Sequence, residues 1–264
     1  MNKLGSMIEY LLKENGQSIE KIPSNDSEKQ RLYRSLVNIR EPKHISPEFL
    51  KMEDEYLQEK LSNEKITDIK DLKTVEEAYN KYNIHNSDKI CLWQGDITKI
   101  RIDAIVNAAN SQGLGCFLPN HNCIDNQIQT FAGVRMRLEC NEYMKTIDYN
   151  LETSKCFLTK GYNLPAQNVI HAVGPIVEYS LTDKLKQLLA DTYTNCLKCA
   201  IENNIRTISF PCISTGVFRF PKDEAAKTAI KTVDEFISNN RNNLDKVVFN
   251  LWSEEDVEIY GRYI

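Results

Sequence analysis

The sequence predicts an α/β fold, a sheet with helices on both faces, carrying a helical extension at its N-terminus. Two observations predict it. From Lys89 onward, short runs rich in Val, Ile and Phe alternate with longer amphipathic runs, the pattern of strands exchanging with helices. Before residue 88 the chain has only charged, helix-periodic segments and no Gly-rich loop. The reading is therefore an extension over 1–87, packed on a second unit over 88–264. The 264 residues are 41% hydrophobic and 27% charged, ordinary values for a globular chain of this length.

The elements follow in order. The segment MNKLGSMIEYLLKENGQ reads as an amphipathic helix, without the apolar core or cleavage site of a signal peptide. In SEKQRLYRSLVNIR, Leu32, Leu36 and Ile39 recur at steps of four and three. In SPEFLKMEDEYLQEKLSNEK, Leu50, Tyr56, Leu57 and Leu61 form a comparable stripe, with Ser46 as N-cap and Pro47 in the first turn. KICLWQ and DAIVNAA read as strands. A helix is expected from Ile124, since Ile128, Phe131, Val134 and Leu138 continue its stripe. SKCFLT and NVIHAVG are strands, and LTDKLKQLLADTYTNCLKCAIENN is a long helix. RTISFPC is a strand, PKDEAAKTAIKTVDEFISNN a helix, KVVFNLW the last strand, and SEEDVEIYGRYI a short closing helix. Ligands of such sheets bind outside the carboxyl ends of the strands. That places the loops 94–98, 107–123 and 211–221 together as the candidate site.

Composition excludes some classes. The net charge is −4 and there is no dense Lys/Arg block, which argues against nucleic-acid tracking. No apolar run approaches the ~20 residues of a membrane span. The chain is too long and too rich in core-type segments to need its eight cysteines as a disulfide framework. Cys91, Cys156 and Cys212 lie in strand-like runs and read as buried thiols. Cys140 and the helical pair Cys196 and Cys199 read as packing. A reducing cytoplasm suits such thiols, and a monomer is expected.

Two loops can cradle phosphate through main-chain N–H groups, Gly113–Leu114–Gly115 and Ser214–Thr215–Gly216–Val217–Phe218. Asp96, after the first strand, can cap the next turn, and Asn110 can form one. Asn107 is expected to hold its loop, and His171 to be a satisfied core histidine. Three stretches then carry a resemblance. QGDITKIRIDAIVNAAN (94–110), VIHAVGP (169–175) and STGVFRFP (214–221), in this order, resemble the macrodomain family of ADP-ribose-binding folds. The resemblance covers about 88–264 and implies a mixed sheet between helices. It implies that Asp96 accepts the adenine amino group beside the Ile97 N–H. It implies that Asn110 meets the distal ribose, that the two cradles face the diphosphate, and that Phe218 packs on ribose. Trp252 or Phe249 flanks adenine or packs in the core.

The chain departs from the usual pattern after NAAN. Most macrodomains run through glycines into GVDGAI. Here the sequence is GCFLPNHNCIDNQI, with Cys116, His121 and Cys123 inserted and Asn126 in place of a glycine. This resembles the zinc-containing microbial subgroup, which also has an N-terminal helical extension and is similar to hydrolases that remove ADP-ribose from proteins. Cys116, His121 and Cys123 offer three zinc-type donors with no fourth nearby in sequence, the pattern of one Zn²⁺ with an open position. The expected activity is hydrolysis of the ester joining mono-ADP-ribose to Asp or Glu side chains. Zinc polarises a ribose hydroxyl or the ester, Asp125 positions or deprotonates water, and Asn110 and Asn126 stand at the sugar. The alternatives are a non-catalytic ADP-ribose reader and an O-acetyl-ADP-ribose deacetylase. The resemblance also offers, as a protein partner, a lipoyl-carrier protein modified by a sirtuin-type transferase.

Overall fold

The structure, a computed structural model, describes residues 3–264. The extension forms α1 (Lys3–Glu14), α2 (Asp26–Ile39) and α3 (Pro47–Ser62). Asn25 and Ser46 cap α2 and α3 by accepting the N–H groups of Glu28 and Phe49, at 2.8 and 3.1 Å. Their shared core holds Met7, Ile8, Leu11, Leu36 and Phe49. The buried face of α2 is Tyr33, Leu36 and Val37, so Ile39 points outward, 39% exposed, against the expected stripe. The axis of burial in α3 likewise runs through Phe49, Glu53 and Leu57, with Leu50, Tyr56 and Leu61 at its sides. A polar residue inside an apolar stripe hides it from a periodicity count.

After α3 come β1 (Thr67–Asp68), α4 (Val75–Ala78), β2 (Ile90–Gln94), β3 (Ile100–Arg101) and β4 (Ala104–Ala108). Then follow α5 (Ile124–Ala132), α6 (Val134–Lys145), β5 (Cys156–Lys160), β6 (Asn168–Ala172), α7 (Asp183–Glu202), β7 (Thr207–Phe210), α8 (Lys222–Asn239), β8 (Lys246–Leu251) and α9 (Glu254–Gly261). β1 and β3 form a small parallel pair. The main sheet has the order β2-β8-β7-β4-β6-β5, parallel except for the β5–β6 edge. This is the expected mixed sheet between helices.

Alternation along each strand sends side chains to opposite faces. Val106, Ile170, Ile208 and Val247 pack with Tyr193, Leu197 and Ile230 of α7 and α8. Ile105, Val169 and Val248 pack with Ile128 of α5 and Met136 of α6. Each such side chain, fully buried, stabilises the fold by roughly 1.5–3 kcal/mol. The chain turns back around β4, reaching β6 on one side and β7 on the other. Ligands of doubly wound sheets lie at such a reversal, beyond the carboxyl ends. Among the described residues no helix is long and apolar enough to cross a membrane.

One helix was expected from Ile124 through Leu138, and there are two. The chain breaks at Gly133, with φ +91° and ψ 170°, a backbone state that glycine adopts without strain. The break turns Val134 and Leu138 away from the sheet and into the core of the extension. The carboxylate of Glu53 accepts the Val134 N–H at 2.9 Å and the Tyr33 hydroxyl at 2.6 Å, so α3 caps α6. Among the cysteines, Cys91, Cys140 and Cys196 are buried. Cys156 begins an edge strand and Cys212 lies beyond the end of β7, which leaves both half-buried, as is Cys199.

A Cβ at Gly133 would stand 2.8 Å from the Glu53 carboxylate. Gly133→Ala is expected to cost about 1–3 kcal/mol in urea unfolding, from positive φ and this contact together. Burial also pushes the Glu53 carboxyl from 4.5 up to about 7, against the bonds from Tyr33 and Val134. The folded chain then binds this proton more tightly than the unfolded chain does. Its contribution is complete below the unfolded value of 4.5 and is lost as pH rises through the folded value of about 7. The urea midpoint of Glu53→Gln should therefore fall less than wild type between those two pH values; equal slopes would contradict this.

Candidate active site

The carboxyl ends of β2, β8, β7, β4 and β6 lie along one edge of the sheet, and the three expected loops follow β2, β4 and β7 at that edge. The loops following β6 and β7 are joined by the Val177 N–H to the Phe218 carbonyl, at 2.9 Å. The loop following β2 is tied to β8 by the Gly95 N–H to Leu251, at 3.2 Å, and by Asn250 Nδ2 to the Gly95 carbonyl, at 2.8 Å.

The β7–α8 loop is held in an unusual backbone. Ser214 and Arg219 have φ of +67° and +57°, left-handed values that non-glycine residues seldom adopt. The Phe220 N–H closes the loop on the Ser214 carbonyl at 3.0 Å. Among the described residues no acceptor takes the N–H groups of Gly216, Val217 or Phe218. Val217 is 73% exposed, Thr215 and Phe218 are half-buried, and the buried Ser214 hydroxyl has no partner. Consecutive free N–H groups on a strained loop make an anion cradle.

The β4–α5 loop offers a second set. Among the described residues the N–H groups of Leu114, Gly115 and Cys116 have no protein acceptor. Gly113 and Gly115 have φ of +62° and +87°, and a Cβ at Gly113 would meet the Met144 sulfur. Asn110 shapes this loop. Its Oδ1 accepts the N–H groups of Gln112 and Gly113 at 3.0 and 3.2 Å, and its Nδ2 donates to the Gly115 carbonyl at 3.2 Å. Asn110, the amide expected to meet a ribose, makes these three bonds within its own turn. Asp96 accepts the N–H and hydroxyl of Thr98, at 3.0 and 2.7 Å, and the adjacent Ile97 N–H has no protein acceptor among the described residues. Phe249 is wholly buried between Tyr193 and Tyr260 and cannot flank a ligand, whereas Trp252 is 75% exposed beyond β8.

Cys116, His121 and Cys123 converge, with donor atoms all within 4.8 Å of one another and Cys116 Sγ 3.6 Å from His121 Nδ1. Among the described residues this is the one group of three or more Cys, His, Asp or Glu side chains close enough to share a metal ion. Two sulfurs and an imidazole suit Zn²⁺. Burial pushes the Cys123 thiol up to about 12, the Asn126 N–H opposes this, and Cys116 adds to it. Cation binding here is therefore coupled to proton release.

Behind the trio, Asp125 is buried and accepts a hydrogen bond from Asn107 Nδ2 at 2.8 Å. Asn107 was expected to hold its loop; it bridges Asp125 to His171 Nδ1, at 3.0 Å. The register of β4 and β6 sets Asn107 opposite His171. Burial lowers His171 to about 3, so the ring is neutral. With Nδ1 facing a donor, its proton is on Nε2, toward Thr159 Oγ1 at 2.9 Å. Burial raises the Asp125 carboxyl to about 6, against Asn107 and Arg137. Asn126, expected at the sugar, is wholly buried. Its Oδ1 accepts from Arg34 at 2.8 Å and its Nδ2 donates to the Leu118 carbonyl at 3.0 Å, so it is tied to the loop that carries Cys116, His121 and Cys123. Sequence reading missed Arg34, Asn38 and Arg137. The first two are four residues apart on α2, a spacing that any solvated helix face also shows.

Two runs of N–H groups without protein acceptors among the described residues, and a Cys/His trio in the loop of one of them, lie in the loops after β7 and β4. Comparison with known proteins gives the chain a lineage. The Macro domain model matches residues 106–229. A Treponema medium protein called protein-ADP-ribose hydrolase is 45% identical over 257 residues, 97% of this chain and 95% of that one. A Staphylococcus aureus (strain MRSA252) protein of the same name is 43% identical, covering 96% and 93%. The Trypanosoma brucei macrodomain solved in complex with ADP-ribose superposes with a TM-score of 0.67 at 28% identity, covering 87% of this chain and 94% of that one. The chain belongs to the macrodomain family.

Asn107→Ala would leave Asp125 buried without that donor. The expected loss is about 1–3 kcal/mol in urea unfolding. A change within about 0.5 kcal/mol, the range of ordinary surface substitutions, would remove Asn107 from this role.

Proposed function

We propose that this protein is a zinc-dependent hydrolase that removes mono-ADP-ribose from Asp and Glu side chains of modified proteins. The observation that carries the reading is the convergence of Cys116, His121 and Cys123 in the same loop as one of the two N–H cradles. The names of the Treponema and Staphylococcus relatives agree with it. The diphosphate lies between the N–H groups of 114–116 and 216–218. Asp96 and the Ile97 N–H receive adenine, and Trp252 is the aromatic wall available to it. The distal ribose then faces the loop after Gly113, with Phe218 against it.

The bond broken is that between the distal ribose C1″ and the ester oxygen. Its electrons leave with the side-chain carboxylate, and water adds to C1″ through an oxocarbenium-like transition state. Asp125 takes the proton from that water. Its Oδ1 is held by Asn107, Oδ2 has no hydrogen bond from the described residues, and a carboxyl raised toward neutral pH suits a proton acceptor. Asn110 acts through the turn it holds, setting Gly113 and Gly115 against the sugar. Cys116, His121 and Cys123 would hold a zinc ion, which would supply Lewis acidity; two thiolates and a neutral imidazole would bring the centre to zero net charge, a weaker acidifier of water than a three-histidine site would be. The same reading includes a cytoplasmic, monomeric protein, its thiolates kept reduced. Its modified partner is proposed, from resemblance alone, to be a lipoyl-carrier protein.

Metal analysis with an assay of ADP-ribose release from a glutamate-modified protein tests this. Wild type is expected to hold about one zinc and to release ADP-ribose. Folded Cys123→Ala should lose the metal and at least ~100-fold in rate. Unchanged turnover without zinc would reject the metal's role. Tight binding of ADP-ribose without release would make the protein a reader.

A further inference from the structure

We propose that α2 of the N-terminal extension is a structural part of the metal centre, with Arg34 and Asn38 as positioning residues that set how tightly Cys116, His121 and Cys123 hold a cation. This rests on the zinc reading above. The segment 116–123 has little structure of its own. Among the described residues, the one main-chain hydrogen bond within it runs from the His121 N–H to the Leu118 carbonyl, at 3.2 Å. Apart from the contact between Cys116 Sγ and His121 Nδ1, the bonds described next reach it from outside.

Arg34 Nη2 donates to the His121 carbonyl at 2.6 Å and to Asn126 Oδ1 at 2.8 Å, with Nε 3.3 Å from the same Oδ1. Asn126 passes the restraint on, donating to the Leu118 carbonyl at 3.0 Å and the Cys116 carbonyl at 3.5 Å. One turn along α2, the buried Asn38 accepts the Asn120 N–H at 2.9 Å, fixing a residue with φ +54° next to the histidine ligand. Its Nδ2 holds Thr130 of α5 at 2.9 Å. Arg34 therefore holds the backbone of the histidine directly and that of the first cysteine through Asn126.

A ligand loop ordered in advance does not lose that conformational freedom when the cation binds. Partners behind the ligands typically contribute 10–100-fold to metal affinity. The extension thus does for these three donors what a rigid helix or strand does in other metal sites.

The experiment uses the full chain as wild type, R34Q and R34K. Zinc dissociation constants are read by competition with a chromophoric chelator. The thiolate-to-cobalt absorption is read after Co²⁺ substitution, and amide exchange of residues 117–122 in metal-free protein. R34Q is expected to weaken zinc binding about 10–100-fold, to change the cobalt band and to speed exchange in the loop. R34K keeps the charge but cannot span both acceptors, and should recover only a small part of the loss. It also serves as the comparison if R34Q does not fold. Wild-type zinc affinity and exchange in R34Q, or full recovery in R34K, would overturn the proposal. A wild-type chain that takes up no zinc would overturn the metal reading and this one with it.

Discussion

The governing constraint is the need to satisfy the main chain of residues 109–123. A connection this long without helix or strand leaves its polar groups exposed to loss unless something supplies partners. Asn110 supplies them from within, and Asn126 on α5 with Arg34, Asn38 and Arg137 from around it. Arg137 is nearly buried. It donates to the Leu114 carbonyl at 2.8 Å and to the carbonyls of Val37, Asn38 and Arg40 at 2.7–2.9 Å, while its guanidinium stacks on Phe117. The carbonyls that end α2 are thereby satisfied by the same side chain that holds the loop. Among the described residues the N–H groups of Leu114, Gly115 and Cys116 are among those in the loop that no protein acceptor takes, and N–H groups of this kind are what an anionic ligand can use.

The second organising feature is a buried polar chain through β4. Asn107 is on the central strand with no exposure; its Nδ2 is paired inside the protein, while its Oδ1 has no hydrogen-bond partner among the described residues. Nδ2 is paired with Asp125 on α5 and His171 on β6, and Thr159 on β5 completes the chain. One partner is neutral by burial and the other is a carboxyl raised toward neutral pH by the same cause. The chain sets the start of α5, and with it Cys123, relative to the sheet.

Much of the fold could be read along the chain. Alternation and helix periodicity identified the strands of the main sheet and the long helices, because each buries one face against one neighbour. The errors fall where two neighbours compete. Val134 and Leu138 continue the stripe of Ile124 and Ile128 on paper, but Gly133 redirects them from the sheet to the extension. Ile39 fits the period of α2, yet the buried face runs through Tyr33, whose hydroxyl reaches Glu53. In the site, the spacing of Cys116, His121 and Cys123 was sufficient to nominate them, since all three belong to one loop and close on one point.

Sequence alone determined the class of fold and nominated the donor trio that the structure brings together, because these depend on local periodicity and on residues near in the chain. Tertiary structure decided which amides support the site and which are free to meet a ligand. Asn107, Asn110 and Asn126 are the same residue type in one short stretch. Their partners, His171, Gly115 and Arg34, come from a neighbouring strand, the loop itself and the distant extension. A hydrogen bond between residues 92 positions apart leaves no periodic trace, so only the packed chain can show it.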